Sequence, residues 1–307
     1  MSLPVNCDFT PSMYQKLLQS LKEAGYAFVT FEEYFLSPGL KTVILRHDVD
    51  RKPLNAWRLA EIESKMGIRG SYHFRRAGFS AVPEIISLIA GLGHEVAYHY
   101  EDMTLVAKMT GKTGDVSVEE LATGAFESFR ENLAYLRKFY PVRVISMHGS
   151  PAERIDNRLL WKYFDYHEYD IICEPYFDLD YSDMLYLTDT GRRWDGDRFN
   201  IRDKALISSH DRKPDFFEAW KVKPVPGSLL NMTNDALDRS ACFKMHSTKE
   251  IISMASSGAL PGKLVINTHP QRWNEDVIPW INELYMQFIK NQIKRFIVKF
   301  KGGRTIN

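Results

Sequence analysis

The feature that most constrains this chain is a repeated alternation between two hydrophobic periods. Short β-favouring runs, "KTVILRH", "RGSYHFR", "HEVAYH" and "VRVISMH", are separated by segments whose apolar residues recur at helical spacing. "PLNAWRLAEIESKMG" is of the helical kind: Pro53 suits a first turn, Leu54, Leu59 and Ile62 follow the helical period, and Gly67 stands where a helix stops. Thr10 to Gly25 reads the same way, and "VEELATGAFESFRENLAYLRKFY" predicts a long helix. Further strands are expected at "YDIICEP", "MLYLTD" and "KLVINTH", and a last helix from about Asp276. Such repetition requires right-handed crossovers and a mostly parallel sheet with nearly enough strands to close. The 307 residues therefore predict one α/β domain over 1–307, a (β/α) barrel, with an insertion at about 190–247 that is too long for an ordinary connection.

Bulk properties narrow the classes of function. A net charge of +1 gives no case for nucleic acid. The three cysteines, Cys7, Cys173 and Cys242, are scattered and odd in number, which argues against a disulfide framework or thiolate cluster and for a reducing compartment. With no basic-then-apolar N-terminus and no apolar run approaching ~20 residues, a cytoplasmic protein is expected.

Chemistry collects at the strand ends. "KTVILRHDVD" finishes on His47, Asp48 and Asp50, "HEVAYHYED" on His99, Glu101 and Asp102, "VRVISMHGSP" on His148, and "LVINTHPQRW" on His269. In a parallel barrel all carboxyl ends of strands open onto one face, so these residues are predicted to converge. Asp and His together suit a divalent ion such as zinc, and alternate residues on an extended chain place Asp48 and Asp50 on one side. One of the two can bind an ion while the other takes a proton; capping of the helix near Pro53 is the competing role for either. Arg75, at the end of "GSYHFR", is a further site candidate, whereas His73 within that run is expected to pack inside the barrel.

The segments "TVILRHDVD", "GHEVAYHYED" and "INTHP" resemble the polysaccharide deacetylase superfamily, carbohydrate esterase family four, in its divergent D-x-D form associated with surface-glycan assembly. The resemblance runs from about Val43 to His269. It implies a distorted (β/α) barrel and metal-dependent removal of an acyl group from an N-acylated amino sugar. It further implies Asp48 as general base, Asp50 and His99 as metal ligands and His269 as general acid, with backbone N–H groups near Gly149 and Ser150 stabilising an oxyanion. One position departs from the pattern: Met103 stands where the family has a second metal histidine, and His148 is the expected replacement. Glu101 and Asp102 are then assigned to sugar hydroxyls.

The implied substrate is an intermediate of cell-surface polysaccharide or lipopolysaccharide synthesis, nucleotide- or lipid-linked. Arg192, Arg193, Arg198 and Arg202 can meet a phosphate in fork geometry and Trp194 a sugar face or base, with an ordinary surface role the competing account for most of the arginines. A deformylase or small-molecule amidase with the same site, or a catalytically inactive glycan-binding protein, is the alternative. The amphipathic C-terminal stretch "WINELYMQFIKNQIKRFIVKFKGG" reads first as a helix packed on the barrel and second as a membrane-surface contact.

Overall fold

The computed structural model describes residues 3–4, 7–110, 117–149, 155–194, 217–231 and 245–301, with side chains through residue 293. Along the chain the elements are α1 (Pro11–Glu23), β1 (Ala27–Val29), α2 (Phe31–Leu36), β2 (Thr42–Val49), α3 (Pro53–Lys65), β3 (Ser71–Phe74), α4 (Pro83–Gly91) and β4 (Glu95–Tyr100). They continue with α5 (Asp102–Thr110), α6 (Val118–Leu136), β5 (Ile145–Met147), α7 (Leu160–Tyr163), α8 (Pro175–Asp178), β6 (Met184–Thr188), α9 (Thr248–Ser256), β7 (Lys263–Thr268) and α10 (Val277–Lys301).

Local chemistry accounts for the helix starts. Thr10 Oγ1 accepts the Met13 N–H and Pro11 follows it, so α1 begins with a satisfied cap and a preset φ. Thr30 and Glu33 form a reciprocal capping box on α2, and Ser117 Oγ caps α6 through Glu120 N–H. The run "YDIICEP" departs from its expected strand. It contributes a single parallel bridge, Val144 to Cys173, because Pro175 then starts α8 with Glu174 as its cap.

All strand pairs among the described residues are parallel, in the order β5-β4-β3-β2-β7-β6. β1 and β3 share one edge of β2, the first against Thr42–Ile44 and the second against Arg46–Val49. The sheet curls strongly. Ile44, Ala97, Val144, Cys173, Met184 and Val265, spread across its whole width, meet in one buried cluster with Phe31, which a flat sheet could not achieve. Two larger clusters lie outside it, where α1, α3 and α9 or α4 and α6 pack on the opposite strand faces. The architecture is a distorted (β/α) barrel.

Strand alternation sorts the side chains. On β2, Val43 and Leu45 face the helices, while Ile44 faces the barrel interior and Arg46 and Asp48 lie above it on the same side. The interior therefore changes from apolar at the amino ends of the strands to charged at the carboxyl ends. Burying those charges is expensive unless they are paired, which explains the dense bonding described next.

Candidate metal and acid–base site

The inward-facing ends of β2, β4, β5, β6 and β7 line a cavity of about 90 Å³. Asp50, His99 and His148 converge there, with Asp50 Oδ1 3.9 Å from His99 Nε2 and 3.7 Å from His148 Nε2. Asp50 Oδ1 is buried and has no hydrogen-bond partner. His99 Nδ1 lies 2.9 Å from the Ser146 carbonyl, which can only accept, so the proton sits on Nδ1 and Nε2 presents its lone pair to the cavity. Burial, outweighing Asp48, lowers the His99 pKa to about 4 and keeps the ring neutral.

His148 is held from behind. Its Nδ1 is 3.1 Å from Glu101 Oε2, and Arg75 clamps the same carboxylate through Nε at 2.8 Å and Nη2 at 2.7 Å. Burial would raise the Glu101 pKa, but the adjacent His148 ring and the Arg75 guanidinium prevail and bring it to about 2. Burial would likewise lower the His148 pKa, and the neighbouring Glu101 and Asp50 carboxylates raise it instead. Glu101 thus orients a neighbouring imidazole in this structure, and Arg75 orients Glu101.

Asp48 sits deeper. Arg46 Nε and Nη2 bind its two oxygens at 2.8 and 3.1 Å, and Asn267 Nδ2 donates to Oδ2 at 2.9 Å. Burial pushes its pKa up, but Arg46 and the imidazoles of His99, His269 and His73 pull it well below the usual carboxylate range. His73, fully buried, lies with Asp48 and His99 in a second candidate ligand cluster, and neither of its ring nitrogens has a hydrogen-bond partner.

Across the cavity, His269 Nδ1 is 2.7 Å from Asp189 Oδ1, leaving Nε2 turned toward Asp50 Oδ2 at 4.0 Å. Asp189 is locked by the His269 N–H (3.0 Å), by Trp273 Nε1 (3.0 Å) and by Arg272, which also donates to the Asp189 carbonyl at 2.7 Å. Burial would raise the Asp189 pKa; Arg272 and His269 lower it.

Of the residues singled out in the sequence, Asp48, Asp50, His99, His148, Gly149 and His269 line one cavity. Five others do not line it: Glu101 and Arg75 stand behind His148, and three are turned elsewhere. Asp102 starts α5 with its carboxylate turned into the helical layer, accepting from Tyr98 Oη (2.7 Å), Ser128 Oγ (2.7 Å) and Asn132 Nδ2 (2.8 Å), because strand alternation ends there and the helix begins. Trp194 is 2% exposed, packs beside Phe9 and Trp273 and donates to Thr248 Oγ1 at 2.9 Å, so its faces are spent on the core. Arg192 lies over the Phe9 and Trp280 rings and donates to Trp280 O at 3.0 Å. Ser150, Arg198 and Arg202 fall outside the described residues. Met103 is buried in the outer core, so residue 103 faces away from the cavity.

Sequence reasoning did not reach Arg46, Asp189, Asn267 or Arg272, and it placed His73 inside the barrel, where the structure buries it. Alternation was the available signal: Arg46 and Asn267 precede Asp48 and His269 by two, and Asp189 ends "MLYLTD" as the other ionisable groups end their strands.

No protein-family model matches the chain, and no curated protein sequence matches it. Similar solved structures include a CE4 family pseudoenzyme from Bacillus anthracis, 11% identical over 84% of this chain and 63% of that one, with a TM-score of 0.37. The chain thus spans less than two thirds of that protein's length. Another is the peptidoglycan deacetylase PdaC from Bacillus subtilis, 12% identical over 86% of this chain and 98% of that one, with a TM-score of 0.32.

Proposed function

We propose that this protein is a metal-dependent hydrolase that removes an N-acyl group, acetyl in the first instance, from an amino sugar in a cell-surface polysaccharide or lipopolysaccharide intermediate. The observation that carries the reading is the cradle of Asp50, His99 and His148 facing the Asp189–His269 pair across a single cavity. An unpartnered buried carboxylate oxygen beside two imidazole nitrogens fits a divalent ion with mixed nitrogen and oxygen ligands, zinc being the preferred candidate. When bound, such an ion polarises the acyl carbonyl and acidifies a water.

The chain's own groups supply the remaining chemistry. Asp48 retains lone pairs beyond those used by Arg46 and Asn267 and accepts a proton from the attacking water. Its depressed pKa makes it a weak base, so its second task is to stay ionised at every working pH and offset the charge of Arg46 and the imidazoles. His269 delivers a proton from Nε2 to the departing amine, while Asp189 fixes the ring through Nδ1. The Gly149 backbone at the cavity wall is the candidate oxyanion donor. The natural substrate in this reading is nucleotide- or lipid-linked.

The test combines elemental analysis of the purified protein with acetate and formate release from N-acylated amino sugars, free, nucleotide-linked and lipid-linked. About one divalent ion per chain and chelator-sensitive acetate release are expected. Formate release instead would reassign the enzyme as a deformylase. Absence of any ion, with no hydrolysis on adding divalent cations, would overturn the enzyme in favour of a glycan-binding protein.

A further inference from the structure

The surface of α10 is inverted relative to a helix packed on a barrel. What it presents inward is polar or tied through backbone: Trp280 Nε1 donates to Asp8 O at 2.8 Å, Arg192 Nη1 donates to Trp280 O at 3.0 Å, and Asn291 Nδ2 donates to Gly191 O at 3.1 Å. Gln287 is 6% exposed and donates to Glu283 Oε1 at 2.7 Å. The apolar residues point away. Ile278, Ile281, Leu284, Tyr285, Met286, Phe288 and Ile293 are between 45% and 73% exposed. At about 100° per residue, Trp280, Gln287 and Asn291 fall within about 40° of one another, while Ile278, Ile281, Tyr285 and Phe288 form a separate stripe about 80° wide. A continuous apolar stripe of this kind marks an interaction surface, unlike isolated exposed apolar residues.

Charge identifies the occupant. After Glu283 the sequence contains Lys290, Lys294, Arg295, Lys299, Lys301 and Arg304 and no Asp or Glu, although the whole chain is nearly neutral at +1. A second copy of α10 laid parallel on the stripe would bring two such cationic segments together. An anionic lipid surface complements them, and an amphipathic helix whose sequence is rich in Lys and Arg lies in that interface. No helix among the described residues is long and apolar enough to cross a membrane, so α10 would lie on the surface.

Placement gives the contact a purpose. Thr190 lines the cavity and the next two residues hold α10, Gly191 through its carbonyl on Asn291 and Arg192 through the Trp280 carbonyl. The helix therefore runs beside the cavity mouth. We propose that α10 seats the protein on an anionic membrane, with its apolar stripe at the headgroup boundary and the mouth of the barrel beside the lipid.

Co-sedimentation of the full chain with vesicles tests this independently of hydrolysis. On phosphatidylcholine vesicles containing phosphatidylglycerol the bound fraction should exceed that on phosphatidylcholine alone by about tenfold at low salt, and fall as salt screens the attraction. The double variant Ile281→Asp, Phe288→Asp, altered at exposed positions, should lose about tenfold or more of that binding with its metal content unchanged. Three outcomes overturn the proposal: wild-type protein left in the supernatant with anionic vesicles, equal binding to neutral ones, or a variant that changes a dimer into a monomer while binding vesicles as before.

Discussion

The two faces of β2 carry the same chemistry and put it to different ends. On the inner face, Asp48 and Asp50 meet His99, His148 and His269 around an open cavity. On the outer face, His47 meets Glu63 (2.9 Å) and Thr268 Oγ1 (2.6 Å), and Glu63 Oε1 also accepts from Tyr14 Oη (2.6 Å) and Tyr72 Oη (2.9 Å). Both sets pair a carboxylate with imidazole away from water. The outer set is sealed: Glu63 and His47 are wholly buried, and a Cβ added at Gly70 would come within 2.7 Å of Glu63 Oε2. Each set keeps a carboxylate oxygen without a hydrogen-bond partner, Glu63 Oε2 outside and Asp50 Oδ1 inside, but only the inner one has room beside it. Buried carboxylate and imidazole together therefore do not mark a site, even with an unpartnered oxygen; space beside that oxygen does.

Substitutions can break or sharpen that contrast. The largest effect is expected from Asp50→Asn, which should abolish metal retention and lower turnover by about 10³-fold or more, with little change in thermal stability. Glu63→Ala, its counterpart on the outer face, should do the reverse. It leaves His47 without its carboxylate and should remove about 3–5 kcal/mol of stability, read by urea denaturation, while folded molecules bind metal normally. Asp48→Asn is expected to lower kcat by about 10²-fold to 10⁴-fold with metal retained. Asp189→Asn, which acts through His269, should cost about 10-fold to 100-fold and move the pH profile of kcat, whereas a purely structural residue would leave that profile in place.

The smallest effect concerns a third buried carboxylate, Glu95, at the opposite end of the barrel from the cavity. Burial raises its pKa from 4.5 to about 7, above any unfolded value, so between those limits the folded chain holds more protons than the unfolded one. The contribution of Glu95 to stability should accordingly fall as pH rises from about 4.5 through 7 and level off above it. Glu95→Gln should stabilise by about 1 kcal/mol or more at pH 8 and by little at pH 4, measured as the shift in Tm.

The barrel was readable because its determinants are local: a strand needs a short β-favouring run and a helix a period and a stop. Segments governed by neighbours were harder. α2 is only six residues long, and its capping box at Thr30 and Glu33 was its one signal. α5 begins directly where β4 ends, so Asp102 reads as one more strand-end acid until the helix turns it outward. At the site, residue types at strand ends located Asp48, Asp50, His99, His148 and His269, but not how they are held. Arg46 and Asp189 emerge only once register and inward facing are known. Arg192 and Trp194 show the converse limit, since their composition suggests a ligand and their packing gives them to the core.

Between Asp50 and α3 the chain has almost no slack. The Asp50 N–H turns back to the Asp48 carbonyl at 3.0 Å, Lys52 adopts a left-handed φ of 50°, and Pro53 fixes the next torsion as the helix starts. A carboxylate mounted on so stiff a hinge loses little further freedom when it captures an ion. Affinity at this position then reports the chemistry of the donor atoms and the size of the cation, with almost no contribution from ordering the loop, so ions of similar charge should be told apart by fit alone.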